Sequence, residues 1–234
     1  MKDVKGSYTQ FHESHNPQHV YPSEWVIRTF LGNYPKLSLD KSSYAGANIL
    51  DIGFGDGRNW PLLRNVSFNV YGVEITEKII ELGEERARAL GMDVTLRLGS
   101  NNSIPFDDGF FDYILASSSC YYVDAGTTFE DNLKEYWRVL KPGGFLVASL
   151  PEATNTIFDG CVELGGGHVE IRNDPWGLRN GYTFKWFRTE EDIVESFSPN
   201  FDSFSVGLCR DDYYGVLISA YLLVCRKVAG PGLK

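Results

Sequence analysis

The stretch Ala47–Leu63, ANILDIGFGDGRNWPLL, constrains this chain more than any other. Ile49, Leu50 and Ile52 form a short apolar run that reads as a buried strand, with Asp51 set among them. Gly53, Gly55 and Gly57 follow at once, then a helix start after Arg58-Asn59. Glycines at that junction let the backbone turn sharply and let a ligand lie against main-chain N–H groups that a Cβ would screen. About 20 residues beyond the first glycine, FNVYGVEIT supplies a second strand ending at Glu74, an acid placed to accept hydrogen bonds from ribose hydroxyls. Strand, glycine turn, helix and acid-tipped strand together describe a nucleoside site. The spacing is GxGxG rather than the GxGxxG of a dinucleotide site, and Asp51 stands just before the first glycine. An acid there suits an ammonium group or bound water better than a phosphate.

The rest of the chain alternates strands with helices. Residues 1–46 read as an N-terminal lid or helical segment; a helix entered at Pro22-Ser23, with Ser23 as cap, turns Trp25, Val26, Thr29 and Phe30 inward. After Glu74, Thr76 caps a helix with Ile79, Gly83, Ala87 and Leu90 on one stripe, ended by Gly91. VTLRLGS is a third strand and Tyr113 to Ser117 a fourth. TTFEDNLKEYWRVLKPGG is a helix whose inner face carries Phe129, Leu133, Tyr136, Trp137 and Leu140, stopped by the breaker Lys141–Gly144 before the strand GFLVASLP. Residues 151–188 lack periodicity and read as an insertion covering the substrate. A helix capped by Thr189 and two closing strands, plausible partners in an antiparallel pair, complete a domain over 47–228, leaving 229–234 as a tail. This order predicts an α/β fold: a three-layer α/β/α sandwich with a seven-stranded, mostly parallel sheet and an antiparallel edge strand. Ligands in such sheets bind at the carboxyl ends of the strands, where Asp51, Glu74, Ser100 and Ser117 converge.

The formal charge of −9 argues against wrapping nucleic acid, which needs a basic surface. No apolar run approaches the ~20 residues that cross a bilayer, and the polar start is unlike a secretory signal. Cys120, Cys161, Cys209 and Cys225 have no metal-ligand spacing and read as reduced thiols of a cytoplasmic protein. Asp107, Asp108 and Asp112 read as a solvated turn, so no metal is expected.

Four segments, LDIGFGDGRN, VYGVEIT, RLGSNNSIPFDDGFFDYILAS and RVLKPGGFLVASLPE, resemble in order and spacing the motifs of the class I, Rossmann-like S-adenosylmethionine-dependent methyltransferases. The resemblance implies S-adenosyl-L-methionine as cofactor and S-adenosyl-L-homocysteine as product. It implies main-chain contacts at Gly53 and Gly55, Asp51 near the methionine ammonium, Glu74 on the ribose hydroxyls and Ile75 on the adenine face. Ser100 stands where the family often has Asp, so Asn101 or Asn102 is expected to share the adenine contact, with Ser117 at the next strand end. An N-terminal lid over the pocket would bring His12, His15, His19 and Tyr21 toward substrate. Arg28 either reaches the methionine carboxylate or is a solvated helix charge.

Candidate catalytic residues are His168, as a base aimed by loop closure or else a surface residue, and Tyr122, after the fourth strand, as pocket lining. ASSSCYY lacks the Asn/Asp-Pro-Pro-Tyr grip of nucleic-acid amino-methyltransferases, which with the acidic charge favours a small-molecule substrate methylated on O or N. A faint likeness to glycan and natural-product tailoring enzymes leans toward a sugar, with Trp176, Tyr182, Phe184 and Trp186 as a stacking surface or a small core of their own. A cofactor-binding subunit without turnover, or transfer of another group from the same sulfonium, are the competing expectations. A homodimer is compatible with all of them, and no membrane partner is expected.

Overall fold

The computed structural model of the protein describes residues 4–14 and 20–228. Two helices, α1 (Val4–Ser14) and α2 (Glu24–Leu31), precede β1 (Asn48–Ile52). There follow α3 (Trp60–Asn65), β2 (Asn69–Glu74), α4 (Glu77–Ala89), β3 (Thr95–Leu98), β4 (Phe111–Ala116), β5 (Tyr122–Val123), α5 (Phe129–Val139) and β6 (Leu140–Pro151). The chain ends with β7 (Val162–Gly165), β8 (His168–Glu170), β9 (Thr183–Lys185), α6 (Glu190–Phe197), β10 (Phe201–Tyr213) and β11 (Val216–Lys227).

Seven strands form the main sheet in the order β10-β11-β6-β4-β1-β2-β3, parallel from β6 to β3. β11 runs antiparallel to both β6 and β10, so the antiparallel strand lies one place in from the edge. It arises from a two-residue hairpin turn at Tyr214-Gly215, both at positive φ, which matches the twist of the flanking strands. The chain steps outward from β1 through β2 to β3, then returns with β4 on the other side of β1. That reversal opens a crevice at the strand tips between β1 and β4.

The central strands are apolar on both faces because both are covered. Leu50 and Ile52 pack with Ile114, Leu146 and Leu223 against Leu133 and Tyr136 of α5 and Phe197 of α6. Ile49 and Leu115 pack the other way, with Trp60 and Leu63 of α3, Ile79 of α4 and Val26 and Phe30 of α2. α2 is therefore part of a covering layer, whereas α1 reaches the glycine turn through His12. The helix starts are read from the sequence by their caps: Thr76 accepts from the Ile79 N–H, and Thr128 with Asp131 and Thr189 with Asp192 form capping boxes. Ser23 occupies the cap position of α2 without a capping bond; its own N–H instead donates to Asn59 Oδ1 at 3.1 Å, tying α2 to the glycine turn.

Two expectations are corrected here. Lys141–Gly144 ends α5 as foreseen but already belongs to β6. Residues 151–188 are not irregular throughout: β7, β8 and β9 form an antiparallel sheet with β5, in the order β5-β9-β8-β7. These strands are only a few residues long and their partner β5 lies far upstream, so local alternation carries little signal. No helix among the described residues is long and apolar enough to cross a membrane. Residues 229–234 lie outside the described residues.

Candidate functional site

The crevice is built on the turn that leaves β1. Gly53 (φ 68°) and Gly55 (φ 56°) take left-handed backbone. A Cβ on Gly53 would stand 2.7 Å from Cβ of Ser119, and one on Gly55 2.8 Å from the His12 ring of α1. The turn is thus bare backbone pressed between the loop after β4 and the N-terminal helix. The Gly53 N–H donates to the Val73 carbonyl at 2.9 Å, holding the turn to β2.

Two buried acids face it. Glu74, at the tip of β2, accepts the Gly55 N–H on Oε1 (2.9 Å) and the Ile75 N–H on Oε2 (3.0 Å). Each oxygen keeps a further lone pair for a ligand hydroxyl. Burial raises the Glu74 pKa despite those two donors, which act to lower it. Asp51 is 1% exposed, and neither carboxylate oxygen has a hydrogen-bond partner among the described residues. Burial, then the charges of Glu74 and Asp56, push its pKa up to about 8; the neighbouring Trp60 indole, which does not reach bonding geometry, offsets this only slightly. A buried carboxyl without a partner is costly, and a cationic ligand group beside it removes the cost.

The other strand tips complete the cavity, whose volume is about 320 Å³. Ile75, Ser100, Asn101 and Ser117 all line it. Asn101 is held from both sides, donating to the Ser119 carbonyl (2.9 Å) and accepting from the Tyr136 hydroxyl (2.7 Å), while Ser100 donates to Asn102 Oδ1 (2.5 Å). Ser119 in turn donates to the Ile52 carbonyl at 2.6 Å. These bonds fix this wall, next to Glu74, before any ligand arrives. Asp56 closes on Arg58 at 2.5 Å at the mouth.

The remaining wall is aromatic and cationic. The Tyr122 hydroxyl bonds to that of Tyr8 and accepts from Nε of Arg179 at 3.0 Å. Tyr182 packs edge-on to both tyrosine rings, and Phe11, His12 and Asp124 also line the cavity. Burial raises the Tyr8 phenol well above its ordinary value, so it stays an O–H donor.

Two expected site residues lie elsewhere. Arg28 is 63% exposed and pairs with Glu24 one helical turn away, because Val26, Thr29 and Phe30 take the inward face of α2. His168 sits in β8 opposite Lys185 and does not line the cavity, so it cannot act there as a base. The aromatic platform also does not form: of Trp176, Tyr182, Phe184 and Trp186 only Tyr182 lines the cavity, Phe184 being core and Trp176 half exposed. Tyr21 is 77% exposed; His15 and His19 fall outside the described residues. Sequence reasoning missed Tyr8 and Arg179. A weak apolar periodicity in α1 was the only cue to Tyr8, and nothing local marks Arg179 within its loop.

The sequence family described as a methyltransferase domain matches residues 50–148, the span from β1 through β6 that carries the turn, Glu74 and the β3 and β4 tips. Over that span the chain is similar to the methyltransferase domain family. A curated relative, demethylmenaquinone methyltransferase of Anoxybacillus flavithermus, is 38% identical over 82 residues, covering 35% of this chain and 33% of the relative. Overall the chain spans about a third to a half of the length of the curated relatives it matches. Two solved structures share the fold of this chain at low identity. An S-adenosylmethionine-dependent methyltransferase of Methanosarcina mazei has a TM-score of 0.63 at 23% identity, covering 85% of this chain and 99% of that one. The N-methyltransferase NodS of Bradyrhizobium japonicum, solved with S-adenosylhomocysteine, has a TM-score of 0.64 at 14% identity, covering 96% and 99%.

The site fits S-adenosylmethionine on its own geometry. The partnerless Asp51 suits the cofactor's ammonium, the spare lone pairs of Glu74 suit its ribose hydroxyls, and the bare backbone at Gly53 and Gly55 leaves room where a Cβ would collide.

Proposed function

We propose that the protein is a methyltransferase that moves the methyl group of S-adenosylmethionine to an oxygen or nitrogen atom of a small molecule. The observation that carries this reading is the buried Asp51 carboxyl, without a partner among the described residues, beside Glu74 and a left-handed glycine turn. When bound, S-adenosylmethionine supplies a methyl carbon already activated by its sulfonium, so the protein has chiefly to align an acceptor and exclude water. α1 covers the glycine turn through His12, and Tyr8 of the same helix closes onto Tyr122, which walls the cavity from solvent on that side. Tyr122 thereby acts as acceptor-side lining. Burial keeps the Tyr8 phenol protonated, which favours acceptors that are nucleophilic in their resting ionisation state.

Calorimetric titration with S-adenosylmethionine and S-adenosylhomocysteine is the first test; no binding of either at millimolar concentration rejects the reading. Methyl transfer from radiolabelled cofactor across a panel of amines, phenols and carboxylic acids is the second. Tight cofactor binding with no turnover on that panel and a stable protein partner on pull-down would favour a non-catalytic subunit instead.

A further inference from the structure

We propose that the tyrosine-lined end of the cavity is a carboxylate subsite built on Arg179, and that the acceptor is a small aromatic acid. This rests on the methyltransferase reading in one respect: it takes the Asp51–Glu74 end for the cofactor and leaves the opposite end for the acceptor.

Three of the acids lining the cavity, Asp51, Asp56 and Glu74, gather about the glycine turn, and the fourth, Asp124, follows β5; of the two arginines lining the cavity Arg58 is taken up by Asp56 at 2.5 and 3.0 Å. Arg179 is the other. Its ion-pair partner Asp174 has a fully buried side chain, yet Asp174 is committed mainly to backbone: it accepts the N–H groups of Trp176 (3.2 Å), Leu178 (2.8 Å) and Arg179 (2.9 Å). The guanidinium reaches it only at 3.3 and 3.4 Å, through Nη1. Nε is spent on the Tyr122 hydroxyl. None of the guanidinium's hydrogen bonds to the described residues uses Nη2, so the charge is only partly compensated and one edge of the fork is left for a ligand.

The phenols add to that surplus of donors. Tyr8 and Tyr122 share one hydrogen bond, and whichever donates, the other phenol keeps its proton. A phenolic O–H and a cationic N–H on one wall call for a group that only accepts and carries negative charge, and a carboxylate meets both demands. The rings of Tyr8, Tyr122 and Tyr182 stand edge to face at 6.2, 6.1 and 5.2 Å between centroids, a wall against which a flat ring packs well.

The test uses the protein saturated with S-adenosylhomocysteine and three probes of one shape: benzoate, benzamide and benzylamine. Benzoate is expected to bind about tenfold or more tightly than benzamide, the scale of a charge-assisted pair. Arg179→Gln should reduce that preference to under about threefold while S-adenosylhomocysteine affinity stays within about threefold of the parent. Should Arg179→Gln not fold by circular dichroism, Arg179→Lys decides: it keeps the charge, loses the planar fork, and is expected to cut the benzoate preference at least about threefold with benzamide unchanged. Equal binding of benzoate and benzamide, no benzoate binding at tens of millimolar, or a preference undiminished in the variant overturns the proposal. So does tighter binding of benzylamine, which would give the subsite to Asp124. A large loss of S-adenosylhomocysteine affinity in Arg179→Gln would assign Arg179 to the cofactor's own carboxylate and overturn it as well. If the parent binds no S-adenosylhomocysteine, the methyltransferase reading fails separately, and the same probes on the protein alone still judge the subsite.

Discussion

Asp51→Asn tests the central feature of the site through the pH dependence of stability. The Asp51 carboxyl is raised from an ordinary 3.8 to about 8, chiefly by burial and then by the charges of Glu74 and Asp56. In the unfolded chain it ionises near its ordinary value; in the native protein it holds its proton until about pH 8. Between those limits the native state binds one proton more than the unfolded state, so native stability falls as pH rises, by about 1.4 kcal/mol per unit. Below the window both states are protonated, and above it both are ionised and the penalty is constant. Asparagine does not titrate, and whatever its amide costs in the buried position is the same at every pH. The unfolding free energy of Asp51→Asn minus that of the parent, from urea titrations, should therefore grow by about 2–3 kcal/mol between about pH 5.5 and pH 7.5. A difference constant to within about 0.5 kcal/mol over that range would refute the reasoning, because Asp51 would then ionise normally in the folded protein. The same linkage requires that a cationic ligand group beside Asp51 expel its proton. Near neutral pH, S-adenosylhomocysteine binding should release about one proton, read from calorimetry in buffers of different ionisation enthalpy.

Glu74→Ala removes the acceptor of two backbone N–H groups and of the expected ribose contacts, and should weaken S-adenosylhomocysteine binding by roughly 1–3 kcal/mol by calorimetry; unchanged affinity would put the ribose elsewhere. Gly53→Ala forces a side chain into left-handed backbone 2.7 Å from Ser119, and should cost roughly 2–4 kcal/mol in urea unfolding; a loss under about 1 kcal/mol would mean the turn relaxes freely. Arg28→Ala and His168→Ala should each leave cofactor affinity within about twofold, since neither side chain lines the cavity. A tenfold loss in either would place that residue in the site after all.

What the sequence alone determined is the Asp51–Glu74 half of the cavity. Its signals are local: Asp51, Gly53, Gly55 and Glu74 sit within two strands and one turn, and Thr76 and Thr189 announce their helices within three residues. The order of strands and helices then fixed the crevice, since a right-handed parallel sheet has one place where its strand order reverses. What only the tertiary structure decided is the facing of side chains and the far wall. Arg28 had the right charge and stands nearby in sequence, yet the inward stripe of α2 turned it to solvent. His168 had the right chemistry, and a three-residue strand carried it into a second sheet. Tyr8, Tyr122, Tyr182 and Arg179 meet across more than a hundred residues of chain, through contacts that no local period or motif encodes.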